Sequence, residues 1–252
     1  MSINNPPPPN DPPSSPNPYG SPQPDGIDVG EAFRWAWKKF QENTATLIVG
    51  TLVLAVAAAV VYIVAAMVAN SLFITDASIN SKTLEVTDGS GFITRIFVSA
   101  LTSAIASIAV YLFQANLLRT SLKITDGDKP EVGELFKFEN VNKTLVAAVL
   151  LAAGTFIGTL LCYLPGLLFS IGAAYTLYFL IDKGSEPVDA IKQSFSFVLN
   201  NIGTLIIVIL ASIATLIVGA IACVIGLLVA IPVVILVNAY VFRKLTGGQI
   251  AA

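Results

Sequence analysis

Residues Asp28–Asn43 read Asp-Val-Gly-Glu-Ala-Phe-Arg-Trp-Ala-Trp-Lys-Lys-Phe-Gln-Glu-Asn and run directly into an apolar stretch that begins at Leu47. Asp28 and Glu31 form a capping-box-like helix start, placing acceptors and negative charge where the first backbone N–H groups lack partners. Val29, Phe33, Ala36, Trp37 and Phe40 recur on one face at helical spacing, with Glu31, Arg34, Lys38 and Glu42 opposite and Lys39 on the flank. Large aromatics beside a basic flank suit a helix lying in the headgroup layer of a bilayer. Trp35 departs from this stripe and projects near the polar face, where an indole either reaches the interface or meets a protein neighbour. Trp35, Trp37 and Phe40 are therefore the candidate partner-contact residues.

The stretches that follow supply the spans. Crossing hydrocarbon takes roughly 20 apolar residues in a helix. Leu47–Val68 and Ile96–Leu118 meet that length without interruption. Leu145–Leu164 and Gly166–Ile181 are divided by Pro165-Gly166, and Leu205–Ile225 and Leu227–Phe242 are divided near Gly226. The second member of each pair is short, so four spans with two re-entrant hairpins stand as the alternative to six full spans.

Composition agrees with lipid as the solvent. The chain of 252 residues is 55% hydrophobic and 12% charged, against roughly 25% charged residues in soluble domains. A net charge of −2 argues against nucleic acid, whose binding needs clustered cations. The sequence holds no His, which removes the commonest general base and metal ligand. Cys162 and Cys223 are too few for a zinc site or a disulfide framework. They fall at equivalent places near the far ends of their spans, as two free thiols or as one disulfide. No catalytic, cofactor or metal site is expected, and no enzyme activity.

Ten of the fourteen prolines lie in residues 1–27. Without apolar periodicity or backbone donors, this segment reads as a disordered tail of polyproline II character, and not as a signal peptide. Its Pro-x-x-Pro spacings suit either a solvated tether or a ligand for a cytoplasmic aromatic groove.

With the N-terminus inside, twelve Lys and Arg fall on the inner side and only Lys82 and Arg95 outside. The positive-inside rule then places both termini in the cytoplasm. The membrane domain is expected over 28–252, with an interfacial helix at 28–43.

Val132-Gly-Glu-Leu-Phe-Lys echoes Val29-Gly-Glu-Ala-Phe-Arg, and Val188-Asp-Ala-Ile-Lys does so more weakly. Each leads to a Thr-Leu step into a span, at Thr46, Thr144 and Thr204. The chain thus reads as three copies of one module. Further interfacial helices are expected at about 130–138 and 187–200, the latter with an apolar face of Val188, Ile191, Phe195, Val198 and Leu199.

No ionisable residue sits well inside a span, which weighs against transport through carboxylate relays. Gly154 with Gly158, Gly219, and the stripe Ser99, Ser103 and Ser107 place small side chains at four-residue intervals, as close helix packing requires. Pro232 is expected to kink the last span.

The proline tail, the Val29-Gly-Glu-Ala-Phe lead-in with Trp37-Lys-Lys-Phe, and Ile181-Asp-Lys-Gly-Ser-Glu-Pro-Val-Asp-Ala-Ile-Lys-Gln-Ser together resemble a group of proline-rich bacterial membrane proteins. That group is found especially among actinobacteria and is distantly similar to the membrane region attached to some glycerophosphodiester phosphodiesterases. The resemblance implies a bacterial inner-membrane address and no activity. It carries no functional residues onto this chain.

The expectation is an all-α polytopic bundle of six spans in three hairpins. Its leading role is a non-catalytic accessory or scaffold subunit that packs with other membrane proteins or with itself. The alternative is a facilitator for lipid or small neutral molecules.

Overall fold

The computed structural model describes residues 27–73, 77–79, 86–88, 92–137, 139–161 and 163–252. The proline segment before residue 27, Lys82 and Cys162 lie outside the described residues, as does the Cys223 side chain, so the question of a disulfide falls there too.

The order of elements is α1 (Val29–Glu42), α2 (Thr44–Phe73), β1 (Ala77–Ile79), β2 (Val86–Asp88), α3 (Phe92–Asp126), a 3-10 turn (Val132–Phe136), α4 (Val141–Leu161), α5 (Tyr163–Gly172), α6 (Thr176–Asp182), α7 (Pro187–Asn200), α8 (Ile202–Ile221) and α9 (Cys223–Leu245). The fold is all-α apart from the small antiparallel hairpin β1–β2, in register Ala77 with Asp88. Among the described residues, six segments are long and apolar enough to cross a membrane, the fourth being Leu164–Asp182. This is the architecture of a multi-pass membrane protein.

α2 and α3 run longer than the apolar stretches inside them. Their 30 and 35 residues reach roughly 45 and 52 Å at 1.5 Å per residue. Both overshoot a hydrocarbon core of about 30 Å.

α9 is the central element, packing on α1, α2, α3 and α8. Half of its most apolar window is buried, against 11% for α2, which faces outward along most of its length. The best-packed core sits at the end of the bundle that carries α1. There Phe179, Phe197 and Phe242 are almost wholly enclosed. Phe242 lies 5.0 Å from Phe179, 5.2 Å from Tyr178 and 5.7 Å from Phe197, centroid to centroid.

The junction expected at Pro165-Gly166 moves. Pro165 lies in the first turn of α5, where its missing N–H costs nothing, and α5 packs back along α4. The real interruption of this span is Ala173–Tyr175, between α5 and α6. Ser194 of α7 enters the break, its Oγ donating to the Gly172 carbonyl at 2.7 Å and accepting from the Tyr175 N–H at 3.0 Å. A fully buried hydroxyl thus satisfies backbone groups that the broken helix leaves without partners.

Of the three lead-in segments, the first and third are helices over the expected ranges, α1 and α7. The middle one is a 3-10 turn of five residues, not a helix over 130–138. α7 packs against α4, α5 and α6. It buries Ala190, Ser194, Phe197 and Val198, while Val188 and Leu199 of the expected apolar face are exposed. Helical periodicity located an amphipathic segment but not which arc meets protein. α9 continues as one helix through Pro232.

Candidate functional site

α1 bears the aromatic residues singled out in the sequence, and its packing corrects their roles. Asp28 caps the helix through Gly30 N–H at 2.8 Å. Glu31 does not complete the capping box; it accepts from Tyr240 at 2.9 Å and from Lys244 at 3.2 Å, both on α9. The buried arc is Ala32, Ala36, Lys39 and Phe40. Two alanines let α1 approach α9 closely, which a Trp at either place would prevent. Trp35 consequently faces protein: its Nε1–H donates to the Ala251 carbonyl at 2.8 Å, and its ring lies 5.2 Å from Tyr240. Trp37 is left 48% exposed, stacked 5.7 Å from Phe40. The indole proposed for an outside partner is engaged by its own chain.

The small residues serve two purposes. A Cβ on Gly158 would lie 2.5 Å from the Gly166 Cα, and one on Gly226 would lie 2.2 Å from the Gly219 carbonyl oxygen. The α4–α5 and α8–α9 hairpins therefore each cross at a glycine pair. Gly154 makes room for the Phe169 ring, which a Cβ would meet at 2.2 Å. Ser107 bonds to the Ala104 carbonyl within its own helix. Ser99 and Ser103 instead line an open groove of about 980 Å³ between α3 and α4.

That groove is the first of three openings along one seam. Its α3 wall runs from Arg95 to Ala104 and its α4 wall from Thr155 to Leu161. One step along, a cavity of about 220 Å³ is enclosed by Tyr111, Gln114, Thr155, Ser170 and Tyr178, with apolar residues between them. Thr155 borders both spaces. At the end of the seam a pocket of about 450 Å³ opens among Arg119, Lys123, Asp126, Glu139, Lys143, Asp182 and Arg243. Buried Leu118, Leu122 and Leu180 lie between the last two spaces, bordering one or the other.

Charge in the end pocket is ordered by a buried bridge. Arg243 reaches Asp182 and Asp126, each at 2.9 Å. The Asp182 side chain is only 6% exposed and that of Arg243 14%, whereas Asp126 is 45% exposed. Lys183 stands 3.0 Å from the other Asp182 oxygen. Lys123 pairs with Glu134 at 2.7 Å and Lys143 with Glu186 at 2.6 Å. The Lys123 hydrogen bond, foremost among the influences on it, holds the Glu134 carboxyl below its ordinary range. Arg119 donates to Asn116 Oδ1 at 2.9 Å and to the Glu139 carbonyl. Asn140, beside it in the wall, adopts φ +52°, a left-handed conformation that Asn tolerates better than most residues.

In the sequence these residues signalled only a topology, as basic groups near span ends. Arg119, Lys123 and Asp126 share a helix face by spacing, but their grouping with Lys143, Asp182 and Arg243 joins four separate helices. Among the described residues no cluster of His, Cys, Asp and Glu suited to a metal ion is present.

No protein-family model matches the chain, and no solved structure does. Curated relatives exist in mycobacteria. The Mycobacterium tuberculosis H37Rv protein named Uncharacterized protein Rv2560 is 35% identical over 235 residues, covering 90% of this chain and 71% of its own length. Uncharacterized protein Mb2590 of Mycobacterium bovis matches at the same identity and coverage. Similarity at that level over nearly the whole described bundle places the chain among them: it belongs to the family of these mycobacterial proteins.

Proposed function

We infer that this protein is a non-catalytic facilitator of lipid movement, working along the α3–α4 seam. The single observation that carries this reading is the succession of three spaces lined with hydroxyl, amide and charged groups across a helix pair that faces lipid. A polar headgroup in such a seam keeps hydrogen-bond partners while its acyl chains remain in the bilayer. The distribution of Lys and Arg supports a cytoplasmic face at α1 and the charged pocket, with both termini on that side. The mycobacterial relatives and the resemblance noted above support the bacterial inner membrane as its address. Internal repetition of a lead-in segment and a hairpin supports an origin by duplication of a simpler membrane hairpin.

The test is reconstitution of the full chain into vesicles holding a fluorescent phospholipid, with dithionite quenching of the outer leaflet. Lipid exchange should exceed that of protein-free vesicles, and Thr155→Trp, which fills the junction of two spaces, should abolish the excess. Equal quenching in all three preparations refutes the reading.

An accessory-subunit role is the second reading, favoured by the outward face of α2, where Leu52, Val56, Val60 and Met67 are about half to two-thirds exposed. Crosslinking in native membranes followed by mild-detergent purification tests it. A monomer free of companions rejects it.

A further inference from the structure

We propose that the pocket at the charged end of the seam is a binding site for a zwitterionic phospholipid headgroup, a phosphate diester carrying an ammonium. The inference rests on the lipid reading above and names the substrate class of the same seam.

Position comes first. The pocket is walled by the last two turns of the α3 span, the residues leading into and opening α4, and the ends of the spans containing α6 and α9. All four meet at one level, where a bilayer carries its headgroups. A volume of about 450 Å³ suits a headgroup rather than a water or a bare ion.

Charge decides between headgroups. Lys123, Lys143 and Arg243 are each neutralised by a carboxylate. Arg119 makes no ion pair among the described residues; its acceptors are an amide oxygen and a carbonyl. The Glu139 carboxylate likewise makes none there, although its own carbonyl binds Arg119. The Arg243 Nε–H is buried without an acceptor. Arg119 and Glu139 offset one another without a direct ion pair, in one pocket lining with the unused Arg243 Nε–H, and this set complements a phosphate and an ammonium together. A headgroup with net negative charge satisfies Arg119 but brings no cation to Glu139. Arginine is also the side chain best shaped for phosphate oxygens.

Binding can be read without any transport, from purified full-length protein in mild detergent by native mass spectrometry. The probes are phosphatidylethanolamine and phosphatidylglycerol with identical acyl chains, and inorganic phosphate. Phosphatidylethanolamine should be retained about tenfold over phosphatidylglycerol, equivalent to about 1.4 kcal/mol. Arg119→Gln should lower retention of both lipids. Glu139 is exposed, so Glu139→Gln should fold normally while erasing the preference, lowering retention of phosphatidylethanolamine and not that of phosphatidylglycerol. Equal retention of the two lipids by the native chain overturns the proposal, as does a preference that survives Glu139→Gln. Inorganic phosphate that displaces bound lipid marks a site for a free aqueous anion and overturns it as well. A chain that exchanges lipid in vesicles but fails here loses the headgroup site alone. One that binds as described yet moves no lipid keeps the site and loses the transport reading.

Discussion

Replacing Arg243 by Met tests whether the charged pocket is held together from its floor. Arg243 and Asp182 meet at 2.9 Å with side chains 14% and 6% exposed, so their bridge is shielded from water. Removing one member of a buried pair strands the other charge and costs about 3–5 kcal/mol. Two features place this case at the low end. Lys183 lies 3.0 Å from Asp182 and, at 39% exposed, retains part of the compensation. The second bridge, to the 45% exposed Asp126, contributes about 0–1 kcal/mol. Arg243→Met should therefore destabilise the fold by about 3 kcal/mol. Pairing it with Asp182→Asn removes the stranded charge, and the double variant should return to within about 1 kcal/mol of the native chain, since buried ion pairs exchanged for neutral groups are often nearly neutral in stability. The assay is equilibrium unfolding of all four proteins in one detergent, analysed as a double-mutant cycle. A single variant that costs under about 1 kcal/mol, or a cycle whose two effects simply add, refutes the buried-bridge argument.

Ser194→Ala removes the hydroxyl that serves both Gly172 and Tyr175 at the α5–α6 break. It should cost about 1–3 kcal/mol in the same unfolding assay and speed amide exchange at Tyr175, whereas unchanged exchange there contradicts the bridging role. Gly158→Ala drives a Cβ into the Gly166 backbone and should cost about 1–3 kcal/mol as overpacking, while Gly133→Ala, which meets nothing, serves as the control; equal stability of the two variants argues against the close helix crossing. The Glu31 carboxyl is held below its ordinary value of 4.5, chiefly by the Tyr240 hydrogen bond and then by Lys244. A lowered carboxyl contributes above its unfolded pKa and loses that contribution as pH falls through the folded one. The α1–α9 contact should hold from neutral pH down to the ordinary carboxyl range and loosen below it, as read by crosslinking between α1 and α9. Loosening that persists unchanged in Glu31→Gln assigns the transition to another group.

Much of the fold was legible because hydrophobic length is a one-dimensional property. Leu47–Val68 and Ile96–Leu118 identify themselves in isolation, and so does the amphipathic character of Asp28–Asn43. The glycines at 154, 158 and 219 were legible as close-packing positions, since only small side chains admit a neighbouring helix. The pocket was not. Arg119, Lys143, Asp182 and Arg243 come from four helices, and their spacing along the chain carries no record of which one faces which.

The sequence by itself determined a predominantly helical membrane chain, the places of its long apolar stretches and the residues able to line a helix crossing. Burying a backbone in lipid forces helices wherever about 20 apolar residues run together. Only the tertiary structure decided the arcs and the partners. It turned Trp35 onto Ala251 and Tyr240 and left Trp37 outside, because the paired alanines of α1 fit α9 and an indole does not. It moved the break in the fourth span to Ala173–Tyr175, where a serine from α7, the next helix along the chain, meets the freed backbone groups. Periodicity tells that a helix has two faces. Which of them meets protein depends on surfaces that come together only when the chain has folded.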